Sequence, residues 1–418
     1  MTGRERVKTS LNHKEPDKMA VDFGGTNDST MHVSCIAQLR DYYGLKKRPV
    51  EVVDVYTMAG IIEEDLADAM GVDCAAAYPN GSMFGFPRDK VKEWVNPDGQ
   101  TILVPEGFNP QPDGKGGYYV HPQGDLTAPA SGHMPAQSVY FDAIIRQEPF
   151  EEEDLRVEDQ IEEWKVLDDD NLQYIKAQAE EGCRQGRAVV LAAPGMGLGD
   201  AADIPGVGMK HPKGIRDYTE WYMSPLLRED FVKEVFDRQT DIAIENLRRI
   251  NEVCGDMIEV AFTCATDLSH QHSLFVSPEV FREVYMPYYK RANDWIHKNT
   301  SWKILKHCCG AVRPLIPLLI ESGFDALNPV QTSADNMDPQ ELKQEFGKDI
   351  SFWGGGVDTQ KELPFGTPQQ VRDQVLRRCE IFAKGGGFIY NAVHIIQAKT
   401  PVENIAAMID AVKEFNGE

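Results

Sequence analysis

A histidine and two cysteines follow one another at the end of an apolar stretch, in KILKHCCGAVRPLIPLL at positions 303–319. Side chains alternate along an extended segment, so His307 and Cys309 point to one side and Cys308 to the other. A neutral imidazole and a thiolate on the same side are ligands that suit Zn²⁺. Cys308 on the opposite side is expected to pack as a small apolar residue. Two ligands do not define a metal site, so a packed strand end remains an alternative.

Other catalytic motifs find less support in the sequence. The chain contains no Gly-x-Ser-x-Gly elbow, which argues against a serine hydrolase. A nucleophilic Cys309 with His307 or His394 as its base stays open, although this cysteine follows a predicted strand instead of opening a helix. GMGLG at positions 195–199 lacks the Lys-Ser/Thr pair of a phosphate-binding loop, so an ordinary loop is predicted there.

The elements that would position these residues are short apolar stretches that alternate with helical patterns. The predicted strands are MAVDFGG (19–25), VDCAAAY (72–78), AVVLAAP (188–194), MIEVAF (257–262), KILKHC (303–308), DALNPVQ (325–331), ISFWGGG (350–356) and GFIYNAV (387–393). The clearest predicted helices are 278–297, 312–321, 339–346, 368–384 and 402–415. Three of them begin with a capping residue before proline, at Ser277, Asp338 and Thr367.

Alternating strands and helices of this number predict a (β/α)8 TIM barrel of one domain over residues 1–418, with an open doubly wound sheet as the alternative. Residues 83–166 break the alternation and are predicted as an insertion after the second strand. A Pro-Asp-Gly turn indicates a hairpin in it, and EEEDLRVEDQIEEW at 151–164 indicates an acidic helix. We expect the insertion to cover the barrel mouth. Its aromatic residues either line a pocket or form its own core: Trp94, Tyr118, Tyr119 and Tyr140.

Reactive groups of a TIM barrel lie at the carboxyl ends of its strands, so polar residues there are candidates for the site. In chain order these are Asp22, Glu259, Cys264, Asp267, His307, Cys308, Cys309, Asn328, Gln331, Asp358, Asn391 and His394. Glu259 and Asp267 are candidate catalytic acids or bases. Asp22, Asn328 and Asn391 are expected to bind substrate.

Composition limits the classes of partner. The 418 residues carry a formal net charge of −23, which argues against nucleic acid or an anionic membrane as a partner. No apolar run approaches the roughly 20 residues that a membrane-spanning helix needs, and no signal-peptide pattern is visible, so we expect a cytoplasmic protein. The eight cysteines lack the spacing of a disulfide framework, which favours reduced thiols.

Several segments together resemble the uroporphyrinogen decarboxylase-like superfamily. They are RERVKTSLNHKEPDKMAVDFGGT near the start and, in order, SLFVSPEVFREVYMPYYKR, KILKHCCGAVRPLIPLLIESGFDALNPVQ, FWGGGVDTQKELPFGTPQQVRDQV and GGGFIYNAVHIIQAKTPVENIAAMIDAV. Members share a (β/α)8 barrel and either decarboxylate a porphyrinogen or transfer methyl groups to or from corrinoid proteins with the help of zinc. The decarboxylases carry an arginine-bearing loop after the first strand, which binds substrate carboxylates. This chain has DFGGTNDSTMH after its first predicted strand, and the first arginine beyond that strand is Arg40.

The resemblance to the methyltransferase branch implies a set of ligands. That branch carries His-x-Cys after the fifth strand, matched here by His307 and Cys309, and a third ligand, usually cysteine, before a TP-x-ENI helix. In this chain the third position falls on His394, ahead of KTPVENI at 399–405. One thiolate instead of two makes a bound Zn²⁺ more Lewis acidic, which favours polarising an oxygen over activating a thiol. Glu259 or Asp267 is expected to supply a fourth ligand or to protonate the leaving group.

The implied function is zinc-dependent demethylation of a small O-methyl compound, such as a methoxylated aromatic. The methyl group would pass to Co(I) of a corrinoid carried by a partner protein. Two alternatives remain. One is a metal-free decarboxylase or lyase that acts on a small carboxylate with Asp22 and Asp267 as its acid and base. The other is a barrel that serves only as a docking subunit.

Overall fold

Eight short parallel strands form the wall of a barrel in the computed structural model, which describes residues 1–418. Their order around the wall is β1, β8, β7, β6, β5, β4, β3, β2. Their bounds are β1 Ala20–Val21, β2 Cys74–Ala77, β3 Ala188–Ala192, β4 Val260–Cys264, β5 Lys303–His307, β6 Ala326–Asn328, β7 Ser351–Trp353 and β8 Phe388–Tyr390. Seven of the eight lie within the predicted stretches, and β4 extends two residues beyond its stretch, to Cys264. The TIM barrel is therefore confirmed, and the open doubly wound sheet is wrong.

A side chain closes the seam between β1 and β2, which share no ladder of their own. The amide N–H of Asp73 donates to the carbonyl of Val21 over 2.8 Å. In return, the amide N–H of Val21 donates to the Asp73 carboxylate over 2.9 Å. Arg6 forms an ion pair with the same carboxylate. Asp73 therefore supplies the acceptor that a neighbouring strand provides elsewhere in the barrel.

The interior of the barrel is filled by apolar side chains from every strand. Helix Gly3–Leu11 lies at the amino-terminal end, where Val7 and Leu11 join this layer. The other members are Ala20, Cys74, Ala188, Val190, Val260, Leu305, Ala326, Trp353 and Ile389. The amino-terminal end is thus packed shut, which leaves the carboxyl end as the open end of the barrel.

Helices surround the wall and agree with the predicted ones. Ser277, Asp338 and Thr367 each accept a backbone N–H from the first turn of their helix, as the capping signals predict. The α-helices are Gly3–Leu11, Val33–Tyr42, Glu64–Met70, Val157–Gln160, Asp169–Arg184, Tyr218–Leu227, Glu229–Cys254, Pro278–Val280, Met286–Asn299, Ile316–Glu321, Pro339–Phe346, Glu362–Phe365, Pro368–Phe382 and Val402–Phe415. A short π-helix spans Phe281–Tyr285. Short 3-10 helices span Asn27–Ser29, Pro122–Gly124, Glu152–Asp154, Gly255–Met257 and Arg313–Leu315. None of the helices has the length and apolarity needed to cross a membrane.

The predicted insertion forms two small sheets. Its hairpin Val91–Val95 and Thr101–Pro105 joins a five-stranded sheet whose other members, Met31–His32, Val50–Asp54 and Ala59–Gly60, precede β2. A four-stranded sheet holds Gln111–Pro112, Tyr118–Val120, Gly132–Met134 and Asp142–Ala143. The irregular layer therefore includes residues between β1 and β2 as well as the predicted 83–166.

Two details of the insertion are visible only in the structure. The acidic stretch 151–164 forms only the turns Glu152–Asp154 and Val157–Gln160 in place of a full helix. Trp94 and Tyr118 pack edge-to-face on each other, and Trp94 packs in the same way on Phe108. Trp94 and Tyr118 therefore belong to the core of the insertion, which is one of the two predicted alternatives.

Candidate metal centre

His307, Cys309 and His394 meet at the carboxyl end of the barrel, and one ligand atom from each lies within 4.8 Å of the others. His307 ends β5, Cys309 lies in the following turn, and His394 follows β8. The Cys309 sulfur is 3.2 Å from Nε2 of His307. The turn is sharp because Gly310 has φ +88° and approaches His270 so closely that a Cβ would lie 2.5 Å from its carbonyl oxygen.

Asn328 fixes the ring of His307. Nδ1 of His307 lies 2.6 Å from Oδ1 of Asn328, and the amide nitrogen of Asn328 donates to the Trp353 carbonyl over 2.8 Å. Because the amide nitrogen is engaged by Trp353, Oδ1 faces the imidazole and accepts its Nδ1–H. The lone pair of Nε2 is then directed towards Cys309. Metal-binding histidines commonly have this arrangement, with the second ring nitrogen donating to an oxygen. Both polar groups of the Asn328 side chain are therefore engaged within the barrel wall, and its predicted contact with substrate stays a prediction.

His394 is held differently. Its backbone has φ +75°, in the left-handed region that costs a residue with a side chain about 1–3 kcal/mol. Its Nδ1 accepts the N–H of Ile395 over 2.8 Å, and its ring centre is 5.0 Å from that of His307. Burial lowers the pKa of His394, so the imidazole is neutral, as a metal ligand must be. Binding a cation through Nε2 would move the proton to Nδ1 and break the contact with Ile395.

Two aspartates flank the cluster. Oδ1 of Asp267 accepts the N–H of Cys309 over 2.6 Å and lies 3.9 Å from Nε2 of His307. Oδ1 of Asp28 is 3.9 Å from Nε2 of His394. Burial, together with Asp267, raises the pKa of the Cys309 thiol well above its usual range. A cation bound here would offset that effect and favour the thiolate.

The donor set fits zinc. Two imidazoles and one thiol converge, with carboxylate oxygens alongside, and this mixture is typical of zinc sites. Metal–ligand bonds of about 2.0–2.3 Å place neighbouring ligands about 3–4 Å apart in a tetrahedron. The separation of 3.2 Å between Cys309 and His307 falls in that range. Cys308 is buried away from the cluster, and its sulfur accepts the N–H of Leu268.

The structure corrects the position of Glu259. This residue precedes β4 and lies at the amino-terminal end of the barrel, where it accepts the N–H of Val189 over 3.0 Å and forms an ion pair with Arg4. It cannot act as a ligand or acid at the opposite end. The apolar run MIEVAF does not reveal which of its residues starts the strand, and this ambiguity is the source of the error.

Asp22 and Asn391 are also placed behind the site. Asp22 is fully buried, accepts from the Trp353 indole over 2.8 Å and from the N–H of Gly25 over 2.7 Å. Asn391 donates to the carbonyls of Asp22 and Ser29. Both residues brace the loop that carries Asp28. They position that loop and do not line the cavity, which differs from the predicted role in substrate binding.

A cavity of about 520 Å³ opens beside His307 and His394. Its walls come from loops after several strands and from Met83 and Trp164, at the two ends of the insertion. The aspartates in its wall are Asp28, Asp54, Asp200, Asp203 and Asp267, and the aromatic residues are Tyr56, Trp164, Tyr218 and Phe262. Of these aspartates, sequence reasoning identified only Asp267. Asp28 lies seven residues beyond the end of β1, and Asp200 and Asp203 follow the glycine-rich stretch predicted as an ordinary loop.

Comparisons with known proteins bear on the same region. The family model described as uroporphyrinogen decarboxylase (URO-D) matches residues 146–415 of this chain. A methylated-thiol–coenzyme M methyltransferase of Methanosarcina mazei is 30% identical over 146 residues. That match spans about a third of each protein, 34% of this chain and 35% of the relative.

A solved structure of a methyltransferase from Methanosarcina mazei has the same fold. It superimposes with a TM-score of 0.56 at 15% identity and covers 99% of both chains. The family match begins before β3 and continues beyond β8, so it contains six of the eight strands and His307, Cys309 and His394. With the barrel and its open carboxyl end, this match shows that the chain belongs to the uroporphyrinogen decarboxylase family.

Proposed function

We propose that this protein is a zinc-dependent methyltransferase that demethylates a small O-methyl compound, such as a methoxylated aromatic. The methyl group passes to Co(I) of a corrinoid held by a partner protein. The observation that carries the proposal is the convergence of His307, Cys309 and His394 on a cavity at the open end of the barrel. Similarity to a methyltransferase over a third of the chain supports the class of reaction.

The residues of the cluster have distinct tasks in this proposal. His307, Cys309 and His394 would hold the ion, and a carboxylate oxygen of Asp267 lies 3.9 Å from Nε2 of His307. Asn328 keeps the Nε2 lone pair of His307 available. Zn²⁺ bound there supplies a Lewis acid that stabilises negative charge on the heteroatom losing its methyl group.

The cavity suits a small, largely apolar donor. Its volume of about 520 Å³ lies within the range of small-molecule sites, about 300–1,000 Å³. Tyr56, Tyr218 and Phe262 provide aromatic surface for a flat ring. The corrinoid belongs to the partner, so this chain needs only an open mouth through which the partner reaches the donor. All eight cysteines are free thiols, which supports a reducing compartment such as the cytoplasm.

The metal-free decarboxylase is a poorer fit to the cavity. Its wall carries five aspartates and no lysine or arginine. A carboxylate substrate would be repelled by these groups and would find no bidentate cation. The fully buried Asp22, assigned as an acid or base in that alternative, does not reach the cavity.

A methylated thiol is the second candidate donor. It is favoured by the relative, whose name describes a methylated-thiol–coenzyme M methyltransferase. The ligand set of this chain argues for oxygen, because two imidazoles and one thiolate leave the ion more Lewis acidic than a sulfur-rich set. The nature of the donor therefore separates the two candidates.

The test combines metal analysis with methyl transfer. Protein with bound zinc is mixed with a Co(I) corrinoid protein and with methoxylated aromatics, methanol or methylated thiols, and methyl-Co(III) is followed by absorbance. We expect methoxylated donors to react, and we expect His307→Ala and Cys309→Ala to lose both zinc and activity. Cys308→Ala is the matched control and should retain both. Reaction of thiol donors alone would establish the second candidate, and a folded, zinc-free protein that reacts with no donor would refute the proposal.

A further inference from the structure

Three carboxyl groups meet beside the reaction cavity, and only one of them forms an ion pair. Asp200, Asp203 and Glu163 surround a small cavity of about 20 Å³, and Arg216 pairs with Glu163 over 3.0 Å. The Asp200 side chain accepts one hydrogen bond, from the N–H of Ala202 over 2.9 Å, and no cation contacts it. Asp200 is 7% exposed. Buried carboxyls without a cation favour the protonated form.

Two unpartnered donors face the same small cavity. The indole nitrogen of Trp221 and the amide nitrogen of Gln239 have no hydrogen-bond partner. Both are shielded from solvent, because each residue is only 2% exposed. Both residues line the cavity with Asp200 and Asp203. Its volume accommodates about one water molecule. A water bound there would accept a hydrogen bond from Trp221 or Gln239. Its two hydrogens would point to the carboxyls of Asp200 and Asp203 and so link the two aspartates.

Asp200 and Asp203 also line the reaction cavity, so they connect the two spaces. We propose that Asp200 is the proton donor of the methyl-transfer reaction and that Asp203 and the small cavity return a proton to it. This inference rests on the proposed function. Asp267, the acid predicted from the sequence, is engaged with the N–H of Cys309 and is better placed to orient that ligand.

The charges around Asp200 agree with this role. Burial, with smaller contributions from the carboxylates of Asp267 and Asp28, raises the pKa of Asp200 to about 6, while the N–H of Ala202 and the charge of Lys306 oppose the rise. Burial also raises the pKa of Asp203, with the charge of Asp200 adding to the effect. Asp200 is thus protonated below about pH 6 and still holds a proton in part of the molecules at neutral pH, as a general acid requires.

The proposed methyl transfer conserves electron pairs and protons. The electron pair of Co(I) forms the bond to the methyl carbon, and the pair of the breaking carbon–oxygen bond stays on the oxygen of the donor. The carboxyl proton of Asp200 moves to that oxygen, so the product leaves as a neutral alcohol or phenol. Asp200 remains as a carboxylate and regains a proton from Asp203 or from solvent before the next cycle.

The test varies how much the leaving group needs a proton. Asp200→Asn is compared with the wild type on methoxybenzene and on a methoxybenzene carrying nitro groups, whose phenolate product is stable without a proton. We expect the variant to lose about 100-fold or more in rate on the first donor and to change little on the second. Zinc content should equal that of the wild type. Equal losses on both donors, or no loss on either, would overturn the assignment while leaving the methyltransferase proposal intact.

A measurement on the wild type keeps the inference testable if Asp200→Asn does not fold. The rate on methoxybenzene should fall as pH rises through about 6, because the donor form of Asp200 is lost. The rate on the nitro-substituted donor should be flatter over the same range. Parallel pH profiles for the two donors would overturn the role of Asp200. A wild type that methylates Co(I) from no donor at any pH would overturn both this role and the proposed function.

Discussion

The Nδ1 atom of His307 and the Oδ1 atom of Asn328 lie 2.6 Å apart, in a contact whose direction is set by the Trp353 carbonyl on the next strand. The proton of the His307 ring is thereby fixed on Nδ1. The other ring nitrogen, Nε2, faces Cys309. Replacing Asn328 tests whether this contact supports metal binding.

Asn328→Leu should weaken zinc binding about 10- to 100-fold, because His307 loses the oxygen that fixes its tautomer and orientation. Competition with a chromophoric chelator measures the change. Asn328→Asp keeps an acceptor at that position and should bind zinc more tightly than the leucine variant. Equal zinc affinity in all three proteins would show that the contact is not needed for binding.

His394→Cys should retain zinc and shift the preference between donors. A second thiolate lowers the Lewis acidity of the ion, so we expect the ratio of rates on methylated thiols to rates on methoxylated donors to increase at least several-fold. The measurement is the appearance of methyl-Co(III) with each donor, alongside zinc content. If His394→Cys and His394→Ala have the same zinc content and the same ratio, residue 394 is not a ligand.

Glu259→Gln should leave zinc content and methyl transfer within about twofold of the wild type, since Glu259 lies at the closed end of the barrel. The free energy of unfolding should fall by about 1–2 kcal/mol because Arg4 loses a charged partner. Urea denaturation measures this change. A large loss of activity in a protein with normal zinc content would restore a catalytic role for Glu259.

Asp22→Asn should change how stability depends on pH. Burial raises the pKa of Asp22 to about 6, above the value of about 3.9 expected in the unfolded chain. A raised pKa means that the folded state binds more protons between these values, so the contribution of Asp22 is full below pH 4 and is lost as pH rises through 6. The shift corresponds to about 3 kcal/mol. Asparagine should therefore be better tolerated at pH 7.5 than at pH 4.5 in parallel denaturation curves. An equal stability difference at both pH values would contradict the buried, proton-linked state of Asp22.

The barrel could be predicted because its elements carry local signals. Ser277, Asp338 and Thr367 mark helix starts through their own side chains, and alternation placed His307 and Cys309 on one side of β5. His394 was a candidate from its place at a strand end, but only the resemblance to a family assigned it as the third ligand. Pattern reasoning of this kind is reliable within strands and helices, where geometry repeats.

The remaining site residues depend on contacts between distant segments. Asp28 and Asp200 lie in loops without a repeating geometry, so their direction cannot be read from spacing. Glu259 was misplaced because a short apolar run does not show where its strand begins. Asn328 and Asn391 were identified as polar residues at strand ends, but their hydrogen bonds to neighbouring strands, which decide their role, are visible only in three dimensions.

The pairing of β1 with β8 also sets the order in which the metal centre can be assembled. β1 has only two residues, pairs in the wall with β8 alone, and leads into the loop that carries Asp28. His394 follows β8, 87 positions beyond His307 in the printed sequence. During synthesis on the ribosome, β1 has no strand with which to form a ladder until almost the whole chain has emerged. The cluster of His307, Cys309 and His394 therefore forms in the last stage of folding, and an ion that binds to all three residues would report completion of the barrel.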